Sequence, residues 1–547
     1  MGEKKIFEDK KVMLASWGCG LKDHYQCRDW IPCLKRIFGK VSVFSPRDYY
    51  LRYGKENMND RFLKMIKKES PDYILFGLSY DEFCPETLAS ISQISPKAIK
   101  IGFFGDDNWR YDDWSRYYAL FFDYIITSEK DNSDYLKDGI KNVSFLHGIN
   151  PDVLKPMNIE KKYDVGFLGM PIRDRYDYVR YLNKKGINVK VWGRDWDKYD
   201  DLKGNCGGIL SSEEYVQVIN QSKINLSFSK TLLEGKGKKD RQLKGRIFEV
   251  GACKSFMLVE QFPQSEEFYK GFSRISFDSK EELLRKVRYY LENEKERNKI
   301  SEDLYKQTIK NYTWEAQFRK FFGALNKKKR KENLATKDNK ILTITEKEMS
   351  LPNENIINLA KGYDYVVLKE RNSKESNYRN FFQAYSLEKS KKQISCCDYY
   401  GYSKNIGDYI LFMAKRAFKT LKYEDFVSMI HLSQLMIKKE YFIENIEKLK
   451  RAFRDKKVQM IDENNTIFVS VPLVQIESPK VNSKVPKDAL RFIFVDKLYS
   501  LAYQKKIFFS LYPYKLIIKS ITNPFILNNI YKTLINKENW EKLKNRF

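Results

Sequence analysis

Short runs of apolar residues alternate with amphipathic segments from the start of the chain to about residue 150. Residues 59–68 and 86–94 show the apolar spacing of helices, and they fall between six runs of four to eight residues: KVMLAS, VSVF, DYILFGLS, IKIGFF, DYIITS and VSFL. Buried parallel strands joined by crossover helices produce this alternation. Residues 1–150 are therefore predicted to form a doubly wound α/β domain.

The alternation stops at residues 150–162, NPDVLKPMNIEKK, and then begins again. The second series predicts helices over residues 173–185, 212–222, 240–253, 281–293 and 300–311, and strands in YDVGFLG, INVKVWG, INLSFS, SFMLVE and RISFDS. Residues 163–325 are thus predicted to form a second Rossmann-like domain. Because open α/β sheets bind ligands beyond the carboxyl ends of their strands, two such domains in tandem predict a binding cleft between them.

The remaining third of the chain has a different organisation. Residues 326–340 are basic and have no hydrophobic period, which is typical of a linker. Residues 341–475 again mix strands (YVVLK, TIFVSVPLVQI) with helices predicted around 408–421 and 443–453, as in an accessory α/β domain. Residues 476–547 are predicted to be a helical tail, basic and aromatic, which suits either an anionic membrane surface or packing against its own domain.

Composition narrows the class of partner without choosing one. The chain has 100 Lys and Arg against 72 Asp and Glu, a net charge of +28, which favours nucleotide phosphates, anionic membrane or nucleic acid. A biased genome explains the same lysine content, and no specific nucleic-acid motif is present. The eight cysteines form no C-x-x-C pair, and no apolar run is long enough to span a membrane. We expect a cytoplasmic protein with reduced thiols, with peripheral contact at the inner face of the membrane as an option.

A series of ordered motifs over residues 242–318 carries a family resemblance: KGRIFEVGAC, an apolar strand ending in Glu260, SEEFY, SKEELLRKVRYYL and YTWEAQF. The stretch resembles the CgeB-like, spore-maturation type of glycosyltransferase of the GT-B superfamily, with coverage of roughly residues 10–325. The resemblance implies a GT-B fold, in which an acceptor-side domain faces a nucleotide-sugar donor domain, and a hexosyltransferase activity.

Residues 341–475 faintly resemble a degenerate GT-A glycosyltransferase domain. A strand of that domain ends in a metal-binding D-x-D, whereas YVVLKERNS has Lys369 and Glu370 at the corresponding place. No metal is therefore expected there.

The resemblance also assigns donor-binding residues. Glu249 matches the second glutamate of the E-x7-E pattern of related retaining enzymes, where it contacts the ribose, but Arg241 stands in the register of the first. Lys244 and Arg246 are the expected pyrophosphate ligands, a solvated basic helix start being the alternative. Further candidates follow the strands of the second domain, although donor contact and a surface position are equally open for the arginines: Gly169, Arg173, Arg175, Gly193 and Arg194.

The first domain supplies the candidates for catalysis. Gly18 and Gly20 form a turn that should face the cleft as an acceptor-side loop, and His24 follows as a general base or a capping residue. Asp106 and Asp107 end a strand at the cleft edge, where a carboxylate either serves the acceptor hydroxyl or caps the next helix. His147 is a cleft residue or a packed one.

The sequence thus predicts transfer of a sugar from a nucleotide-sugar donor to a saccharide, lipid-linked or protein acceptor, with neither cofactor nor metal. The alternative is a non-catalytic glycan-, membrane- or nucleic-acid-binding protein that retains the GT-B fold. The sugar, the nucleotide base, the stereochemical outcome and the oligomeric state stay open.

Overall fold

Three β-sheets follow one another along the chain. The computed structural model describes residues 6–20, 24–231, 240–269, 271–325, 339–403, 408–476 and 490–491. The first sheet is parallel, in the order β2-β1-β3-β4-β5-β6. Its strands are β1 Phe7–Ser16, β2 Phe38–Phe44, β3 Tyr73–Gly77, β4 Ile99–Phe104, β5 Tyr124–Thr127 and β6 Val143–Phe145.

Helices cover both faces of this first sheet, which is why β3 and β4 are buried along their whole length. They are α1 Ile31–Ile37, α2 Pro46–Tyr53, α3 Lys55–Glu69, α4 Pro85–Ile94, α5 Asp107–Arg110, α6 Arg116–Tyr118 and α7 Ser133–Lys137. The carboxyl ends of the strands point toward the second sheet, so the loops after β1, β4, β5 and β6 lie along the cleft.

The second sheet is also parallel, in the order β11-β10-β9-β7-β8. Its strands are β7 Tyr163–Leu168, β8 Val189–Trp192, β9 Ser222–Ser227, β10 Met257–Glu260 and β11 Ser276–Phe277. The helices that follow or cover them are α8 Arg175–Lys184, α9 Ser212–Gln221, α10 Arg246–Ala252, α11 Lys280–Glu292, α12 Glu294–Asn311 and α13 Trp314–Ala324.

Helix α13 returns to the first domain. Trp314 and Phe318 pack on Trp30, with ring centroids 5.3 and 5.6 Å apart, and the Trp314 amide donates to the Ile149 carbonyl at 3.0 Å. Two segments, near residues 149 and 313, therefore connect the domains side by side.

The third sheet is mixed, with the path β12-β13-β17-β15-β16-β19 and β18 paired with β14 and β15. Its strands are β12 Ile341–Thr345, β13 Tyr365–Lys369, β14 Ser373–Glu375, β15 Ile394–Ser403, β16 Asp408–Phe412, β17 Leu435–Lys438, β18 Thr466–Ile476 and β19 Leu490–Arg491. Its helices are α14 Glu346–Met349, α15 Asn353–Ala360, α16 Arg379–Glu388, α17 Ala414–Thr420, α18 Tyr423–Val427, α19 Lys439–Glu444 and α20 Ile446–Asp455.

The third sheet and its helices pack on the first domain through both apolar and charged contacts. The Phe382 ring lies 5.4 Å from Tyr117, within a core that the two domains share. Lys415 pairs with Asp113 at 2.7 Å, and the Glu86 carboxylate accepts from the Ser376 hydroxyl at 2.6 Å. The third sheet and its helices are therefore fixed to the first domain.

The predicted fold class is confirmed: two parallel α/β sheets face each other across a cleft, and a mixed α/β extension follows. Two predicted helices are wrong in part. Residues 240–245 are not helical, because backbone pairing of Asp240 and Gln242 with residues 229–231 holds this segment extended, and the helix begins at Arg246. Residues 408–412 form a strand, because they pair with β15 in an antiparallel hairpin.

The predicted tail over residues 476–547 and the basic linker over 326–340 lie almost wholly outside the described residues. Within the described ranges, no helix combines the length and the apolar character that a membrane span requires.

Candidate functional site

A cleft of about 860 Å³ opens at the carboxyl ends of β7, β8 and β9, a volume typical of small-molecule sites. Apolar side chains such as Phe167, Ile209 and Leu210 form part of its wall. Seven of the eight donor residues predicted from the sequence line it: Gly169, Arg175, Gly193, Arg194, Lys244, Arg246 and Glu249.

The floor of the cleft is formed by backbone at two glycines. Gly169 follows β7 with φ 156° and Gly193 follows β8 with φ 136°, and the two loops touch. A Cβ atom on Gly193 would lie 2.4 Å from the Gly169 carbonyl oxygen. This distance is a steric clash, so only glycine fits at residue 193 without a shift of the backbone. Glycine at residue 193 therefore lets a ligand approach the main chain.

Three cationic side chains surround this floor. Arg175 is only 8% exposed, and its Nη1 donates to the Met170 carbonyl at 3.2 Å. Among the described residues, the Arg175 Nε and the Arg246 Nη1 have no hydrogen-bond partner. Buried donors without a partner are costly, so these atoms are poised for an anionic ligand.

The crowding of positive charge is also visible in the pKa values. Burial lowers the pKa of Lys244 to about 8, an effect that Arg175 reinforces and Asp106 opposes. Burial likewise lowers the pKa of Arg175 to about 10. A bound diphosphate would favour the charged form of Lys244 and reverse this shift.

Glu249 is held in place by two neighbours. The Tyr215 hydroxyl donates to its Oε2, and the Arg246 Nε lies 3.1 Å from the same oxygen. The Arg246 guanidinium also lies 4.8 Å from the centre of the Tyr215 ring. Both contacts engage Oε2, so the carboxylate has a fixed orientation at the edge of the cleft.

Sequence reasoning missed Tyr215. It lies in α9 and resembles any aromatic residue of an amphipathic helix, and its partner is 34 positions away in the chain. No local signal could have found this contact.

Two arginines have structural partners outside the donor cleft. The sequence placed Arg173 at the donor, but its guanidinium pairs with Asp240 at 3.1 Å and it does not line the cleft. It has φ 58°, so the turn after β7 directs its side chain away from the floor. Arg241, in the register of the missing glutamate, pairs with Asp278 at 2.6 Å. Arg194 is exposed at the rim.

The described residues on either side of 21–23, after β1, are packed rather than open. The His24 Nδ1 accepts from the Gln26 amide at 3.3 Å, and burial lowers the pKa of this histidine. A Cβ atom on Gly18 would lie 2.0 Å from the same Nδ1, so the His24 ring fits here only because residue 18 has no side chain. Gly20 ends the 3-10 turn Trp17–Gly20. These contacts favour the capping interpretation of His24 over that of a general base.

The two aspartates after β4 point in different directions. Asp106 adopts φ 57° and does not cap the next helix; its Oδ1 accepts from the Gln242 Nε2 of the second domain at 3.4 Å. Asp107, expected at the cleft edge, is 3% exposed and accepts from the hydroxyls of Ser115 and Tyr135. Burial raises the pKa of Asp107 to about 7. Of the pair, Asp106 is the residue that faces the donor domain.

His147 belongs to the packing between the domains. Its ring centroid lies 5.2 Å from that of Phe248, next to Gly245 at the start of α10. Burial lowers the pKa of His147 to about 4, so the ring is neutral at physiological pH.

The segment that matches a known family includes many of the residues that line the cleft. The sequence model of the family described as glycosyl transferase-like matches residues 175–323, from the buried Arg175 to the end of α13. The segment that lines the cleft is therefore glycosyl transferase-like over residues 175–323. The spore protein CgeB of Bacillus subtilis is 25% identical to it over 212 residues, which are 35% of this chain and 65% of that protein. The match thus spans less than two thirds of the relative.

Two solved structures are similar to part of this chain. A glycosyltransferase from Rickettsia africae is 12% identical with a TM-score of 0.39 and covers 57% of this chain and 97% of its own. Anabaena HepE, solved in complex with UDP and glucose, is 11% identical with a TM-score of 0.41. The match covers 58% of this chain and 100% of HepE.

The accessory domain has a polar network at the place where a GT-A domain has its metal-binding D-x-D. Glu370 lies 3.2 Å from the Nδ1 of His431, and its amide donates to the Ser433 hydroxyl at 2.7 Å. In the part of the chain that the structure describes, no three His, Cys, Asp or Glu side chains are grouped to hold a metal ion. Metal-independent transfer stays a prediction.

Proposed function

We propose that this protein transfers a sugar from a nucleotide-sugar donor to an acceptor hydroxyl. The observation that carries the proposal is the cationic cleft: Lys244, Arg246 and Arg175 converge on a glycine floor with guanidinium donors that lack a partner among the described residues. The family match covers the same segment. The chemistry of this cleft fits a diphosphate flanked by a ribose and a sugar.

Each group has a part in this proposal. The diphosphate would lie on Lys244 and the two arginines, and Glu249 would accept hydrogen bonds from the ribose hydroxyls. In the reaction, the acceptor oxygen bonds to the anomeric carbon while the bond from that carbon to the diphosphate oxygen breaks and its electron pair leaves with the diphosphate. Preformed cations stabilise the charge that develops on the leaving group.

A base must take the proton of the acceptor hydroxyl. Asp106 is the carboxylate of the first domain that touches the second, through Gln242. We propose Asp106 for this role in preference to His24, whose Nδ1 accepts a hydrogen bond within the first domain, and to Asp107, whose carboxylate is buried and accepts two hydrogen bonds there. The three cations would replace the divalent metal that many glycosyltransferases use, so we propose transfer without a metal.

Replacing Glu249 by alanine is expected to weaken UDP or GDP binding by about tenfold and to leave pyrophosphate binding unchanged, because the ribose contact is lost and the phosphate contacts are kept. Isothermal titration calorimetry with the nucleotides and with pyrophosphate measures both. Glu281→Ala, which changes an exposed carboxylate in α11, is the matched control. Equal affinity of Glu249→Ala and the unaltered protein for the nucleotides would remove Glu249 from the site.

Nucleotide affinity is expected to be constant from about pH 6.5 to 7.5 and to fall as the pH rises through about 8. The pKa of Lys244 is lowered to about 8 in the free protein, so above that value the lysine must take up a proton before it can pair with the diphosphate. Calorimetry in two buffers of different ionisation enthalpy should detect this proton uptake at pH 8.5. Lys244→Arg should abolish it, because arginine stays charged; uptake that persists in this variant would contradict the assignment.

A protein that keeps the fold but only binds glycans, membranes or nucleic acid would behave differently. It would show no nucleotide binding and a salt-sensitive association with anionic vesicles or RNA. The same titrations therefore decide between the two functions.

A further inference from the structure

A second cavity lies between the first two domains and takes no part in donor binding as proposed above. Its volume is about 240 Å³, the space of about eight water molecules. The first domain contributes acidic side chains and tyrosines from the loops after β4 and β5 and from α7. The second contributes Arg241, Gln242, Leu243 and the aromatic rings of Phe262 and Phe268.

The cavity and the donor cleft share one wall. Gln242 and Leu243 line the cavity, and the next three residues, Lys244, Gly245 and Arg246, line the donor cleft. A molecule in the cavity therefore lies next to the diphosphate-binding cations, on the side of the acceptor domain.

The polar groups of the cavity suit a neutral, hydroxyl-rich ligand. Burial and the neighbouring Asp107 raise the pKa of Glu129 to about 8, and burial raises that of Asp107 to about 7. The Glu129 carboxyl group, which is largely protonated at neutral pH, both donates and accepts hydrogen bonds, as does the Gln242 amide. Aromatic rings beside such groups match a sugar, which has apolar faces and polar edges.

Charge and size weigh against other acceptors. The two cations at the cavity are paired, Lys130 with Glu267 and Arg241 with Asp278, which leaves the remaining charges acidic and disfavours a phosphate group. A space of about 240 Å³ that lies between two domains does not hold a lipid chain.

We infer that this interdomain cavity is the acceptor subsite, and that it takes the neutral terminal sugar of a saccharide through Glu129 and Gln242. The inference rests on the proposed function, since it names the acceptor class of that same transfer. The sugar would contact both domains at once, so its binding would favour the closed arrangement in which donor and acceptor meet.

Saturation-transfer NMR on the full chain tests this inference. The probes are the methyl glycosides of glucose, galactose and mannose, each with UDP or GDP at saturation, and dodecyl phosphate as the lipid-phosphate probe. Glu129→Leu and Gln242→Leu each remove the polar group at similar volume and should weaken glycoside binding at least about tenfold. Both should keep nucleotide affinity within about twofold, which shows that they fold. Glu281→Leu, at an exposed helix position, is the matched control.

The outcomes separate the two proposals. Absence of nucleotide binding in the unaltered protein would overturn the proposed function itself. Nucleotide binding without saturation transfer to any glycoside, or glycoside binding that both leucine variants retain, would overturn the acceptor subsite alone. Saturation transfer to dodecyl phosphate and not to the glycosides would also overturn it, in favour of a lipid-phosphate acceptor.

Discussion

Replacing Lys244 by methionine is expected to weaken UDP or GDP binding by about ten- to a hundredfold while making the protein more stable. The loss of affinity follows from the removal of one charge-assisted contact to the diphosphate. The gain in stability follows from the lowered pKa. Folding disfavours the charged form of Lys244, so this residue lowers the free energy of unfolding below about pH 8. The loss of stability is relieved as the pH rises from about 8 toward 10.5, the ordinary pKa of a lysine.

The size of the gain should be about 1–2 kcal/mol at pH 7, after allowance for the partial exposure of the side chain, or a few degrees in melting temperature. Calorimetric titration and thermal unfolding of one preparation measure both effects. Pyrophosphate should lose affinity in parallel with the nucleotides, in contrast to Glu249→Ala. A variant that is less stable than the unaltered protein, or that binds nucleotide equally well, would contradict the account.

Replacing Gly193 by alanine is expected to destabilise the second domain by about 2–4 kcal/mol and to abolish nucleotide binding. A Cβ atom at this position would meet the Gly169 carbonyl oxygen at 2.4 Å, and the backbone has φ 136°. The clash and the backbone strain both oppose the native loop. Thermal unfolding and calorimetry measure the two losses.

Alanine variants of two other glycines separate the effect of the steric clash from that of the backbone strain. Gly186 has φ 83° with open space around its Cβ position, so Gly186→Ala should cost only about 1 kcal/mol and leave binding intact. Gly204 also has open space and no positive φ, so Gly204→Ala should be nearly neutral. A small effect at residue 193, similar to that at residue 186, would show that the floor of the cleft is not as tight as described.

Strands such as β3, β4 and β5 were predictable because their side chains are buried on both faces, which leaves a continuous apolar run in the sequence. The helix expected at residue 240 was not, because backbone pairing with residues 229–231 overrides the local pattern. The same holds for residues 408–412, whose partner strand β15 decides their conformation.

The positions of cleft-lining residues were predictable where a motif fixes their register, as for Lys244, Arg246 and Glu249. The side chains that orient them were not. Tyr215 and Gln242 act across the fold on Glu249 and Asp106, and neither belongs to a local pattern that indicates a site. Glu129 was missed for the same reason, since only burial between two domains changes the properties of its carboxyl group.

The most direct test of the central claim is thermal stabilisation of the full-length protein by a panel of nucleoside diphosphates and nucleotide sugars, with and without EDTA. A ligand that binds the native state raises the melting temperature according to its affinity. The account predicts a clear shift with one nucleotide and its sugar conjugate, unchanged by EDTA and lost in Lys244→Met. No shift with any nucleotide, or a shift that EDTA abolishes, would contradict it.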